Sequence, residues 1–171
     1  AFAKAEQQQS YPIHIEFNTG LNRIGIDPQE FDQVVEILKL HPEVKVRGVQ
    51  SHLAASEDLN EDPFTKNQIV LFEQLSHQLE EHLGYTFLKH KSNTSGILNY
   101  DQAHFNMVRS GIGLYGFGND AKFDKHLKPI STLISNISQI RTIEPGQSVS
   151  YNRKFVAKDR TTYAVVALGH G

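Results

Sequence analysis

A chain of 171 residues with 39% apolar content can bury one ordinary core, or one core and part of a second. The formal charge of −2, with lysines and arginines dispersed along the chain, gives no reason to expect nucleic acid or an anionic membrane as a partner and points to a small molecule. Cysteine is absent, which excludes a disulfide framework and a thiolate metal site, no metal is called for, and no apolar run approaches the roughly 20 residues that span a bilayer, so cytoplasm is the expected compartment.

The first segment, A-F-A-K-A-E-Q-Q-Q at 1–9, reads as the closing turns of a helix whose beginning is absent. No methionine initiates the chain and Gly171 stops just after an apolar strand, so a piece of a longer protein is expected. Tyr11 to Phe17 alternates apolar and polar residues before the turn signal Asn18-Thr19-Gly20 and reads as a strand. Asp27, Pro28 and Glu30 form a capping box for a helix whose buried stripe is Phe31, Val34, Val35 and Leu38. Val44 to Ser51 is a second strand. Asp62 and Pro63 open a second helix, with Phe64, Leu71, Phe72, Leu75, Leu79 and Leu83 facing inward and Gly84 ending it. Thr86 to His90 is a third strand, Thr94 to Asn99 a short helical turn, and Phe105 to Val108 a fourth strand running into Arg109.

That order, β-α-β-α-β-α-β, has connections long enough for parallel crossovers and amounts to half of an eight-stranded α/β barrel over residues 1–127. From Pro129 the texture changes. Leu133 to Ile143, Ser148 to Val156 and Tyr163 to Leu168 read as strands with no helix between them, so a second, all-β domain is expected over 128–171.

Barrel chemistry gathers at the carboxyl ends of the strands. The first strand ends in Glu16 and Asn18 with Arg23 just beyond, the second in His52, the third in His90, Asn93 and Thr94, and the fourth in Arg109. Singly, each has a plain structural explanation: Glu16 and Arg23 as a surface ion pair, His52 as a satisfied core histidine, Asn93 as a helix cap. Together they place polar groups at one end of every strand. After Arg109 the glycines 111, 113 and 116 let the backbone approach a ligand, and their N–H groups could cradle a phosphate.

These residues carry a resemblance. The motifs N-T-G-L-N-R-I-G at 18–25, G-V-Q-S-H at 48–52, S-N-T-S at 92–95, V-R-S-G-I-G-L-Y-G at 108–116 and P-G-Q-S-V-S-Y at 145–151 are similar, in order and spacing, to those of the bacterial alanine racemases. The resemblance implies half of a (β/α)8 barrel and the start of a C-terminal β domain. It implies an isomerase that uses pyridoxal 5'-phosphate to interconvert L-alanine and D-alanine by two-base proton transfer, supplying D-alanine for peptidoglycan. It also implies a head-to-tail homodimer in which Tyr151 acts in trans.

By the same resemblance Arg109 faces the pyridine nitrogen, and because arginine keeps its proton the ring nitrogen stays unprotonated. Thr94 and the backbone N–H groups of Gly111 and Ile112 would hold the phosphate, with Asn93 and His52 as neighbours. Tyr151 would be one base. A free tyrosine, with a pKa of about 10, needs a neighbour that stabilises its anion, a role the resemblance gives to His52 linked to Arg109.

The chain also departs from the family pattern. Glu16 stands where many relatives have a carbamylated lysine, and its carboxylate is expected to supply Arg23 with a permanent anionic partner. Asn18 replaces an aspartate, Ser110 a proline and His170 a tyrosine near the substrate. No residue stands for the Schiff-base lysine, so the isolated segment is expected neither to bind the cofactor covalently nor to racemise alanine. A broader amino-acid racemase, a D-amino-acid aldolase, a non-enzymatic pyridoxal-phosphate carrier and a fusion with a cell-wall ligase are the competing readings.

Overall fold

The computed structural model describes residues 10–169, so the expected helix end at 1–9 and the His170 substitution lie outside the described residues. The chain divides into two compact units, Ala1–Ile130 and Ser131–Gly171.

In the first unit, β1 (Tyr11–Glu16), β2 (Val44–Gln50) and β3 (Leu88–His90) form a parallel sheet in that order. Alternation decides which side is buried. Ile13, Ile15 and Phe17 pack with Val46 and Val49 against the helices α1 (Phe31–Leu40) and α2 (Asp62–Leu83), where Phe31, Val35, Phe72, Leu75 and Leu79 complete the core. Truncating a fully enclosed side chain such as Phe72 would cost about 3–5 kcal/mol. The side chains of opposite parity, His14, Glu16 and Gln50, stand on the other face of the sheet.

The helix ends follow their signals. Glu30 accepts the Asp27 N–H at 2.9 Å, and Gly84 ends α2 in the left-handed region at φ 71°. Phe64 does not join the core as expected. It is 40% exposed, and its ring covers Gly20.

The expected fourth strand reduces to a single bridge between His90 and Met107, flanked by the bonds Asn106 N–H to Lys89 and Arg109 N–H to Ser92. Phe105, at φ 47°, breaks the extended run that its apolar composition suggested. The short helix α3 (Thr94–Asn99) forms as expected. A one-turn helix α4 (Ala121–Asp124) follows the glycine segment.

In the second unit, β4 (Ile137–Ile143) pairs antiparallel with β7 (Thr161–Val166), and β5 (Ser148–Val149) with β6 (Phe155–Val156). The continuous strand expected over Ser148–Val156 is therefore a hairpin. Ser150, Asn152 and Arg153 all take positive φ, and this concentration of left-handed residues turns the chain at Tyr151.

Candidate functional site

The loop after β1 is shaped by Asn18. Its carboxamide oxygen accepts the N–H groups of Gly20 (3.1 Å) and Asn22 (3.0 Å), while its amide donates to Asn22 (2.9 Å) and to the Asp27 carboxylate (2.7 Å). An aspartate here would face Asp27 as a second anion, so asparagine suits this version of the loop. Gly25, at φ 117°, passes so close that a Cβ would lie 2.8 Å from the Asn18 nitrogen. The loop carries Arg23 to the rim of a cavity of about 530 Å³ lined also by His52, Asn93, Thr94, Arg109, Gly111 and Ile112.

Arg109 is the centre of this arrangement. One terminal nitrogen, Nη1, donates to Gln50 Oε1 at 2.8 Å; the other, Nη2, donates to the Ser51 carbonyl and lies 3.4 Å from both His52 Nδ1 and the Lys91 carbonyl. Its Nε is buried without a protein partner. Burial draws the guanidinium pKa down, Glu16 opposes that, and Arg23 adds to it. The group stays charged at any working pH.

An arginine N–H facing His52 Nδ1 requires that nitrogen to be the acceptor, which leaves the ring hydrogen on Nε2. Burial first, then the charges of Arg109 and Arg23, lower the His52 pKa, and Glu16 partly offsets them. His52 is neutral at pH 7.

Glu16 does not meet Arg23 as expected. Its carboxylate accepts from Gln50 Nε2 at 2.8 Å, and Arg23, exposed on its loop, has no ion pair or hydrogen bond among the described residues. The Glu16 side chain extends along the sheet to the neighbouring strand, whereas the loop turns Arg23 outward to the cavity rim.

Thr94 Oγ1 accepts the N–H groups of Gly111 and Gly113, each at 3.1 Å. Gly113 is one of the three glycines expected to allow a close approach, and what it approaches here is Thr94. A Cβ there would sit 2.9 Å from Ser110 Oγ and 3.0 Å from Thr94 Cγ2, so the close approach requires glycine. Asn93 caps α3 through Gly96 N–H at 2.8 Å and also accepts from Ser56, which agrees with its plain structural reading even though it lines the cavity. Tyr151 lies in the second unit and is 94% exposed.

Reading only strand ends missed the polar group behind the site. On the helix-facing side, Lys91 Nζ donates to Thr19 Oγ1 at 2.6 Å, Thr19 meets Ser51 Oγ at 2.7 Å, and Gln68 on α2 reaches Thr19 and the His52 carbonyl. Lys91 is fully enclosed. Burial first, then Arg109, pulls its pKa down to about 7. Parity could have found it, because Lys91 shares its side of the chain with the buried Phe87. Parity also links Gln50 to His52. Among the described residues no lysine lines the cavity.

Residues 1–118 match the family model described as the alanine racemase N-terminal domain, and residues 130–171 match the alanine racemase C-terminal domain. An alanine racemase of Vesicomyosocius okutanii is 31% identical over 164 residues, covering 96% of this chain and 44% of the relative. Alanine racemase 2 of Clostridium acetobutylicum is 34% identical, covering 93% and 41%. The chain thus spans less than half the length of these relatives. The crystal structure of an alanine racemase from D-cycloserine-producing Streptomyces lavendulae superposes with a TM-score of 0.79 at 26% identity, covering 95% of this chain and 44% of that one. A Bartonella henselae alanine racemase with covalently bound pyridoxal phosphate gives 0.71 at 25% identity, covering 98% and 45%.

Proposed function

This chain belongs to the alanine racemase family, and from that premise we propose that, in the complete protein, it forms part of a pyridoxal 5'-phosphate enzyme interconverting L-alanine and D-alanine. The observation that carries the reading is Arg109: a half-buried guanidinium lining the cavity, with its terminal nitrogens held by protein acceptors and its buried Nε left without a protein partner. An unpaired buried donor is costly, and the acceptor nitrogen of a pyridine ring would satisfy it. The rest of the lining suits the same cofactor. Thr94, Gly111 and Ile112 would take its phosphate, with Asn93 beside them and the positive charge of Arg23 at the rim.

When bound, the cofactor supplies an electron sink that acidifies the α-hydrogen of the amino acid. Arg109 donates a hydrogen bond without surrendering a proton, so it moderates that sink. His52 accepts from Arg109 at Nδ1 and offers its Nε2 hydrogen. In a head-to-tail homodimer, Tyr151 of the partner subunit would receive that hydrogen bond at its phenolic oxygen and exchange a proton with the substrate on one face. Covalent attachment of the cofactor needs a lysine, and none lines the cavity among the described residues.

Incubating the complete protein with L-alanine and the cofactor in deuterated water should yield D-alanine bearing deuterium at the α-carbon. Tyr151→Phe should lower turnover by at least about a hundredfold, the lower end of what a positioned acid or base contributes. Turnover of other amino acids with none of alanine would sink the proposed substrate, and unaltered kinetics in Tyr151→Phe would sink the base.

A further inference from the structure

Gln50 joins the Glu16 carboxylate to the half-buried Arg109 guanidinium. Its Nε2 donates to Glu16 Oε2 at 2.8 Å, and its Oε1 accepts from Arg109 Nη1 at 2.8 Å. A carboxylate can only accept and a guanidinium can only donate. A carboxamide has one end of each kind, and only one of its two orientations satisfies both neighbours. Glu16 thus selects which way the Gln50 amide faces, and the amide in turn fixes the plane of the guanidinium. The Ser51 carbonyl holds the second terminal nitrogen. With both held, the direction of Nε is determined.

We propose that Gln50 is a positioning residue that transmits the orientation set by Glu16 to Arg109 and so fixes the guanidinium, with its unpartnered Nε, in the wall of the cavity. Its catalytic consequence rests on the racemase reading; the geometric one does not. The device differs from the ion pair expected between Glu16 and Arg23. Here the carboxylate acts along the sheet, from β1 through β2 to Arg109, and Arg23 is left free at the rim.

The test uses the complete protein with three substitutions and two readouts: side-chain nitrogen NMR of Arg109, and turnover against pH. Gln50→Leu should free Nη1, collapsing its separate slow-exchange signal, and should lower kcat roughly ten- to hundredfold, the loss of one hydrogen bond to a charged group, with KM less affected. Glu16→Gln keeps an acceptor facing Gln50 Nε2, so it should preserve the Nη1 signal while removing the charge. Gln50→Glu is the sharper variant. A protonated carboxyl reproduces the amide, with a donor toward Glu16 and an acceptor toward Arg109; once ionised, it sets two carboxylates face to face. The Arg109 signal and turnover should then titrate together in that variant and not in the parent. A Gln50→Leu protein with unchanged Arg109 signals, or a Gln50→Glu protein whose signals are flat with pH, would overturn the proposal. The NMR result stands whether or not the protein racemises alanine, so failure of the function and failure of the positioning role are separable.

Discussion

On the pocket side of the β1–β2–β3 sheet, Arg109 keeps its charge and reaches a carboxylate through an amide. On the helix side, Lys91 is enclosed more completely and, among the described residues, its Nζ meets a hydroxyl, at Thr19, and the Phe72 ring, 5.2 Å away. The two cations lie close enough to influence each other, since Arg109 is one cause of the lowered Lys91 pKa. The difference follows from the groups. A guanidinium cannot shed its proton, so its burial requires acceptors and favours a nearby anion; an amine can, and burial and Arg109 bring the Lys91 pKa down to about 7. One face therefore holds a permanent charge and the other a conditional one.

The comparison breaks most visibly if the hydroxyl shared by Lys91, Ser51 and Gln68 is removed. Thr19→Val keeps the shape but strands those partners, and should lower stability by about 3 kcal/mol in urea or thermal unfolding of the complete protein. A loss well under 1 kcal/mol would mean that the network is replaceable.

Lys91→Met sharpens the contrast. The folded pKa lies below the unfolded 10.5, so between about pH 7 and 10.5 the unfolded chain binds more protons and this group makes stability rise with pH. Below that window the full burial penalty applies. The methionine variant should therefore equal or exceed the parent by about 1 kcal/mol at pH 7, because an apolar side chain replaces an ammonium without a carboxylate. The advantage should fade as pH rises toward 10.5. A pH-independent difference between the two proteins would contradict the conditional charge.

The smallest expected effect lies at the His14–His90 pair, where His14 Nδ1 and His90 Nε2 are 3.0 Å apart. His90 is held down to about 4, first by burial, then by Arg109 and His14, so it is neutral at pH 7. Gly48 makes room for the pair: a Cβ there would lie 2.7 Å from the His14 ring. Gly48→Ala should push that ring aside, cost about 1 kcal/mol, and raise the His90 pKa in a proton NMR titration. An unchanged titration would show the two imidazoles to be independent.

Much of this was legible in the sequence. Alternation in Tyr11–Phe17 and the stripe of Phe72, Leu75 and Leu79 specify one buried face each, and Asp27, Glu30 and Gly84 act through local hydrogen bonds and backbone freedom that a sequence displays directly. The grouping of His52, Asn93, Thr94, Arg109, Gly111 and Ile112 around one cavity was also legible, because parallel strands deliver their ends to one side. Partner choice within that group was not. Whether Glu16 meets Arg23 or Gln50 depends on how the loop after Asn18 turns, and nothing in the residue types decides between two available donors. The fourth strand and the Tyr151 hairpin failed for another reason: left-handed backbone at Phe105, Ser150 and Arg153 goes against what those residue types favour, and Asn152 alone is a residue type that readily takes it.

The two hydrogen bonds between Thr94 and the glycine segment have a consequence for the proposed capture of a phosphate there. Its hydroxyl oxygen already occupies the N–H groups of Gly111 and Gly113, so an incoming anion does not fill empty donors. It must take them by substitution, displacing one oxygen with another. A ligand oxygen that makes only those contacts gains little from the exchange. A tetrahedral oxyanion, which can take the N–H groups with one oxygen and receive the released Thr94 hydroxyl on the next, gains a contact in every swap. If this segment takes the phosphate as proposed, the arrangement would favour anions with several oxygens over simple ones such as chloride, before any charge is counted.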